Sequence, residues 1–95
     1  MREYRSLIIR SFKIQSGNYY ISFICKENEK YLELDIKHDS GKLNFVIKDT
    51  NTGEVTTLTN PDSGIILIPL EETHKYQLVI HSSKACGGYK IRVKK

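Results

Sequence analysis

The chain has 95 residues, of which 39% are hydrophobic and 27% charged, with six Tyr, three Phe and no Trp. This size and balance predict a single globular domain over residues 1–95, and exclude a transmembrane protein, a collagen, a coiled coil and a disulfide-dense miniprotein. The net charge of +4 is uneven, since residues 1–26 carry +4, residues 27–83 carry −5 and residues 84–95 carry +5. One side of the domain will therefore be basic if its first and last strands are neighbours.

Almost every apolar segment alternates with a period of two, and none keeps the 3.6-residue period of a helix. This alternation predicts eight short strands, at 6–14, 19–26, 31–38, 42–48, 55–59, 65–70, 75–81 and 89–94. The third is the clearest, because Leu32, Leu34 and Ile36 alternate with charged residues. Polar and glycine-containing segments between the strands predict turns at 16–18, 26–30, 38–41, 49–54, 60–64 and 82–88.

Short strands at this regular spacing, without a helix, are typical of all-β domains. We expect an antiparallel β-sandwich of seven or eight strands, jelly-roll-like, and a small OB-like barrel is the alternative fold. The segment 65–70 is continuously apolar, which predicts a strand covered on both faces. Its Pro69 cannot donate to a strand ladder and indicates a strand end or an edge position.

Four stretches carry a resemblance to a known class of module: KYLELDIKHDSG, then KLNFVIKDTNTGE, then SGIILIPL, and the closing HKYQLVIHSSKACGGYKIRVKK. Over residues 31–95 the chain resembles the second half of small bacterial β-sandwich accessory modules, such as the pre-peptidase C-terminal domain and jelly-roll carbohydrate-binding modules. It departs from them in having no Trp and no acidic DxDxY start. The resemblance implies an appended or surface module without catalysis, and it transfers no functional residue.

The two cysteines are a candidate disulfide. Cys25 closes the second predicted strand and Cys86 stands just before the eighth. If those two strands pair antiparallel, the thiols come close, and a bridge would close a loop of about 60 residues. The alternative is two free thiols, with Cys25 a small core residue and Cys86 a turn residue.

Neither a metal site nor a catalytic site is predicted. Asp49, Asn51 and Gly53 are spaced as in a calcium loop but lack its full ligand set, and the three histidines lie in separate loops or strand ends. Ser82 follows His81, yet neither Ser82 nor Cys86 belongs to a GxSxG motif or to a recognisable pair of nucleophile and base. We therefore expect no enzyme and no cofactor, and a small hydrolase using Ser82 or Cys86 is the least favoured alternative.

A binding surface is the most specific functional expectation. Tyr20, Tyr31, Val46 and Val79 are apolar residues that stand on the polar phase of their strands. If they cluster, they form an exposed patch of the kind that marks an interface. The sequence thus predicts a non-catalytic binding or interaction module of a bacterial type, which presents a sheet face or loops to a protein or glycan partner.

Single-stranded nucleic acid is the alternative ligand, bound along a basic edge that contains Arg10, Lys90 and Arg92. No RNP-type motif supports it.

No secretory signal and no membrane span is visible. We expect a cytoplasmic protein if Met1 is the native start, and a cell-envelope or secreted one if a leader was trimmed. The oligomeric state stays open.

Overall fold

A computed structural model of the protein describes residues 4–95, which contain β-strands, turns and loops and no helix. The strands are β1 (Tyr4–Ile24), β2 (Tyr31–Asp49), β3 (Val55–Thr59), β4 (Gly64–Pro69) and β5 (Lys75–Lys94). They form one antiparallel sheet in the order β1–β5–β2–β3, and β4 also pairs with β2. The all-β prediction is therefore confirmed.

Three of the strands are about twice as long as predicted, because each contains two of the predicted segments. β1 has 21 residues, β2 has 19 and β5 has 20. The segments 16–18, 38–41 and 82–88, which were predicted as turns, are irregularities inside these strands. The predicted count of seven or eight strands is therefore not confirmed, since residues 4–95 form five. The strands β1, β5 and β2 lose register at the same level of the sheet, and they pair regularly again on both sides of that level.

The sheet folds over on itself at this level. The rings of Phe45 and Tyr89 have centroids 5.7 Å apart. On β2, however, Phe45 is nine residues from Ile36, the register partner of Tyr89. An extended strand of that length spans about 30 Å, so the two ends of the sheet must face each other. The first half of the sheet comprises residues 4–12, 31–38, 87–94 and β4, and the second half comprises residues 17–24, 42–49, 75–82 and β3.

Buried residues from both halves form a single hydrophobic cluster between them. The largest fully buried side chains are Phe45, Leu32, Leu34, Leu43, Leu78, Ile91, Val93 and Cys25. The inward phase predicted for the third segment is confirmed. The prediction that residues 65–70 are covered on both faces is wrong, since Ile65 is 62% exposed. Within the described residues, β4 pairs with β2 alone and lies at the edge of the sheet, as Pro69 indicated.

Glycines allow the backbones to approach closely where the sheet folds. Gly41 on β2 and Gly87 on β5 have positive φ angles of 79° and 136°. A Cβ atom at Gly41 would collide with the backbone of Lys84, and one at Gly87 would collide with the backbone of Lys37. Only a residue without a Cβ fits these two positions.

The basic ends of the chain lie side by side. β1 pairs with β5 along nearly its whole length, and together these strands contain eight Lys or Arg residues and no Asp or Glu. The acidic residues of the described chain lie on β2 and in the loops. The uneven charge along the sequence thus becomes an uneven charge across the sheet.

Candidate interaction surface

Three of the four residues predicted as a binding face lie next to one another. Tyr20 of β1 is the register partner of Val79 of β5, which is in turn the partner of Val46 of β2. They alternate along their strands with residues of the buried cluster, so their side chains lie on the outer face of the second half. Tyr20 is 70% exposed, and the two valines are half-buried. We call these three residues the Tyr20 row.

Tyr31 lies in the first half of the sheet, outside this row. Its register partners are Pro69 of β4 and Lys94 of β5, and it is 38% exposed. The four residues therefore do not form one patch, because Tyr31 lies apart from the other three. The fold of the sheet separates residue 31 from the second half, which no local feature of the sequence indicated.

A polar network orders the surface beside the Tyr20 row. His81 Nδ1 donates a hydrogen bond to Asn18 Oδ1, and Asn18 Nδ2 donates to the Tyr20 hydroxyl at 3.4 Å. The next outward residues are in register as Asn18, His81 and Asn44 on one side, and Ser22, Gln77 and Lys48 on the other. Lys48 is the single Lys or Arg among these outward neighbours. The surface therefore combines one exposed aromatic ring with amide and hydroxyl groups.

The basic edge predicted from Arg10, Lys90 and Arg92 is not formed. Lys90 and Arg92 belong to β5, which lies between β1 and β2 inside the sheet. Arg92 is paired with Glu33 at 2.6 Å, and its guanidinium lies 4.6 Å from the centroid of the Tyr4 ring. These contacts give Arg92 a structural role on the sheet surface.

Arg10 lies on the opposite face of the sheet from Lys90 and Arg92. Its register partner is the buried Tyr89, whereas Lys90 is paired with Ile9. The Arg10 guanidinium lies 5.0 Å from the centroid of the Tyr19 ring and donates to Gln15 Oε1 at 3.2 Å. Arg10 thus closes the β1 side of the core.

A groove that was not predicted from the sequence crosses the first half of the sheet, close to the level where the sheet bends. Its volume is about 780 Å³, and side chains of Lys13, Lys37, Lys90, Asp35 and Asp39 are among those lining it. It lies where β5 has two consecutive glycines and hence no side chains to fill the space. The sequence feature that could have indicated the groove is this glycine pair, because glycines inside an alternating strand are typical of a close approach between backbones. The groove carries both signs of charge.

The candidate disulfide is not formed, because both cysteines are free. The Cys25 amide bonds to the His74 carbonyl at 3.0 Å, which places Cys25 beside the start of β5, whereas Cys86 lies eleven residues further along the chain. The disulfide required predicted strands 19–26 and 89–94 to be neighbours. Residues 17–24 pair instead with residues 75–82.

We expect the two thiols to differ strongly in reactivity. Cys25 is fully buried and donates to the Glu29 carbonyl at 3.1 Å. Burial raises its pKa to about 11, and the nearby carboxylates of Glu29 and Glu72 act in the same direction. Near pH 7.5, iodoacetamide should therefore modify about one thiol per native chain and about two after denaturation. Cys86→Ser should leave the native protein unmodified, and rapid native labelling of that variant would contradict this placement.

The loop that resembles a calcium site uses its oxygens internally. Asp49 Oδ1 accepts the Asn51 amide at 2.9 Å, and Asp49 Oδ2 accepts His74 Nδ1 at 2.7 Å. Asn51 Oδ1 in turn accepts the Lys75 amide at 2.9 Å. Within residues 4–95, no group of three or more His, Cys, Asp or Glu residues is placed to hold a metal ion. These contacts attach the β2–β3 turn to the start of β5.

A second buried carboxylate fixes the turn between β1 and β2. Glu29 is 5% exposed and accepts Arg5 through both carboxylate oxygens, at 2.9 and 3.2 Å. The Lys26 amide donates to the same carboxylate at 2.7 Å. Burial by itself would raise the pKa of Glu29, but these hydrogen bonds outweigh it and hold the pKa below its ordinary value.

Stability should therefore fall in acid. The pKa of Glu29 is lower in the folded than in the unfolded chain, where it is about 4.3, so the unfolded chain binds more protons in the pH range between the two values. The contribution of Glu29 is complete above the unfolded pKa and is lost as the pH falls through the folded pKa. Asp49, whose pKa is also lowered by its hydrogen bonds despite burial, acts in the same direction.

Glu29→Gln should cost about 2 kcal/mol near pH 7 and flatten this acid dependence, because the charged hydrogen bonds with Arg5 are lost. Urea unfolding at several pH values measures both effects. Glu27→Gln, at an exposed position of the same turn, is the control and should change neither. Equal effects of the two substitutions would show that the buried pair contributes nothing specific.

The two residues considered for hydrolysis are not arranged as a catalytic pair. Ser82 is 5% exposed and donates to the Gly17 carbonyl at 3.3 Å. His81 precedes it on the opposite face of β5, where its Nδ1 is bonded to Asn18. Cys86 precedes Gly87 and Gly88, at the level where the sheet bends. Neither nucleophile is hydrogen-bonded to a histidine or a carboxylate in the described chain.

Comparison with known proteins gives no family assignment: the chain matches no family model and no curated protein. Residues 4–95 contain no helix that is long and apolar enough to cross a membrane.

Proposed function

We propose that the chain is a non-catalytic interaction module, which presents the outer face of the second half of its sheet to a protein or glycan partner. The observation that carries the proposal is the Tyr20 row. Its exposed aromatic ring is ordered by Asn18 and stands at the end of a row of two valines. Aromatic residues of this kind are enriched at the centres of binding surfaces.

The chemistry around the row supports a neutral or polar partner. Its outward neighbours include Asn18, Asn44, Gln77 and Ser22, whose groups both donate and accept hydrogen bonds. Nucleic-acid binding, by contrast, depends on cationic groups that neutralise phosphates. The cations named for that alternative are divided between two faces of the sheet, and Arg92 is already paired.

We also propose that the folded sheet is a variant of the bacterial β-sandwich accessory modules, with a jelly-roll-like course. Each half pairs four strand segments, and together the halves use all eight segments predicted from the sequence. The proposal adds to the functional one because such modules act by binding.

The test is an NMR titration of labelled protein against a panel of glycans, peptides and oligonucleotides. Shifts should cluster at the Tyr20 row and change little between about 50 and about 200 mM salt. Tyr20→Ala should weaken binding about tenfold or more. Tyr31→Ala, which removes the same ring from the other half, should change affinity less than about twofold. Shifts centred on the groove of Lys13, Lys37 and Lys90, with steep salt dependence, would contradict the proposal.

A further inference from the structure

β1 has an unpartnered edge. It pairs with β5 on one side, and no strand within residues 4–95 pairs with its other side. An edge strand exposes a row of backbone N–H and C=O groups that can pair with another strand. Six of the ten large apolar side chains found exposed in the described chain lie on β1, and they are Tyr4, Ile9, Ile14, Tyr19, Tyr20 and Ile24. This edge is therefore both long and apolar.

The two halves of β1 differ in how well that edge is protected. Residues 4–12 contain a register shift between Ser6 and Ile8 and carry Arg5 and Arg10. Residues 17–24 pair without interruption and contain no charged residue and no proline. Bulges, charges and prolines are the features that keep an edge from pairing. The segment 18–24, Asn-Tyr-Tyr-Ile-Ser-Phe-Ile, lacks all three, and its composition is typical of segments that add to a sheet.

We propose that this segment pairs with the same segment of a second copy, antiparallel about a two-fold axis at Ile21. This register places Tyr19 opposite the partner's Phe23 and Tyr20 opposite the partner's Ser22. Because the paired residues have equal parity, core-facing residues meet core-facing ones and outward residues meet outward ones. Two aromatic cross-strand pairs form, which are among the stabilising pairs of antiparallel sheets.

The distribution of charge favours a second copy of this segment as the partner strand, and it favours this register. The side chains of residues 18–24 carry no charge, so the contact sets no like charges opposite one another, and Arg5, which donates to the Ile24 carbonyl at 2.9 Å, lies at the end of the segment. Pairing through residues 4–12 would instead bring a strand that carries Arg5 and Arg10 against its own copy. In the two-fold register, Arg10 and Lys13 are outside the paired segment, because the register shifts between Phe12 and Gly17 separate them from residues 18–24.

The dimer would extend one sheet through both molecules and leave its outer face open. The Tyr20 rows of the two copies would then lie on one continuous surface, suited to a partner with repeated binding groups. This last consequence rests on the proposed function, whereas the dimer itself does not.

The experiment is sedimentation equilibrium of the purified chain from about 1 µM to about 500 µM. We expect a reversible shift towards twice the 11.0 kDa of one chain. The double variant Tyr20→Lys/Ser22→Lys sets like charges opposite each other twice and should weaken the dimer at least tenfold. Tyr20→Lys/Ser22→Glu sets opposite charges in the same places and should restore it. Ser6→Lys/Ser11→Lys, at exposed positions of the other half of β1, is the control and should leave the dimer unchanged.

A wild-type chain that stays monomeric throughout this range would overturn the proposal. Equal weakening by the two Tyr20/Ser22 double variants would overturn the register, because charge complementarity would then have no effect. Val46→Lys distinguishes dimer formation from partner binding. It changes the Tyr20 row on β2, which is separated from the open edge of β1 by β5. A dimer that loses the NMR shifts with the glycans or peptides of the titration when Val46 is changed supports both proposals, and a monomer that shows those shifts overturns the dimer alone.

Discussion

Gly41→Ala should destabilise the protein far more than Gly53→Ala, although the two glycines have nearly the same backbone conformation. Their φ angles are 79° and 81°. A Cβ at Gly41 would collide with the Lys84 carbonyl and lie 2.7 Å from the Cα of Ala85, whereas a Cβ at Gly53 would meet nothing within 4 Å. The pair therefore separates the cost of the close approach from the cost of the positive φ.

We expect Gly53→Ala to cost about 1 kcal/mol, the usual penalty for a non-glycine residue at positive φ. Gly41→Ala should cost about 4 kcal/mol or more, because backbone atoms cannot rotate out of the way as a side chain can. That loss is a large share of the stability of a small domain. Urea unfolding with an unchanged slope measures both values. Similar costs at the two positions would show that the strands do not approach closely at the fold.

Phe45→Ala should be the most damaging truncation in the core. The ring is fully buried and meets Tyr89 edge-on, with an interplanar angle of 84°, across the space between the two halves. Removing it leaves a cavity where the halves touch, and we expect a loss of about 3–5 kcal/mol.

Phe12→Ala is the matched control for this truncation. Phe12 also packs edge-on against Tyr89, at 5.9 Å, but it is half-buried on β1. We expect a loss of about 1–2 kcal/mol, since solvent can reach the space left behind. Thermal or urea unfolding compares the two variants. A smaller loss for Phe45→Ala than for Phe12→Ala would contradict the packing of one half against the other.

Much of the local structure could be predicted from the sequence. The period of two identified the strand segments and the inward residues, such as Leu34 and Ile91, because the two faces of each strand meet different environments. The turn signals at 16–18 and 38–41 were misleading. A polar glycine-containing segment has the same local chemistry in a turn and in a bulge. Which of them forms depends on whether the neighbouring strands lose register at the same level.

The candidate surface depended on the same non-local information. Tyr20, Val79 and Val46 could each be predicted as outward-facing, but their adjacency follows from the strand order β1–β5–β2. That order also makes β5, which carries Lys90 and Arg92, a central strand and not an edge strand. The register of β1 with β5 separates Cys25 from Cys86. Strand order and register are set by packing across the whole chain, so alternation along one strand does not reveal them.

A NOESY spectrum tests the folded sheet and its surface most directly, because the Tyr20 row requires the strand order β1–β5–β2 and the contact between Phe45 and Tyr89 requires the sheet to fold. We predict cross-strand contacts from Tyr20 to Val79 and from Val79 to Val46, together with a contact between the rings of Phe45 and Tyr89. Hairpin contacts across residues 16–18 and 82–88, with no contact between those two rings, would contradict the folded sheet and the surface built on it.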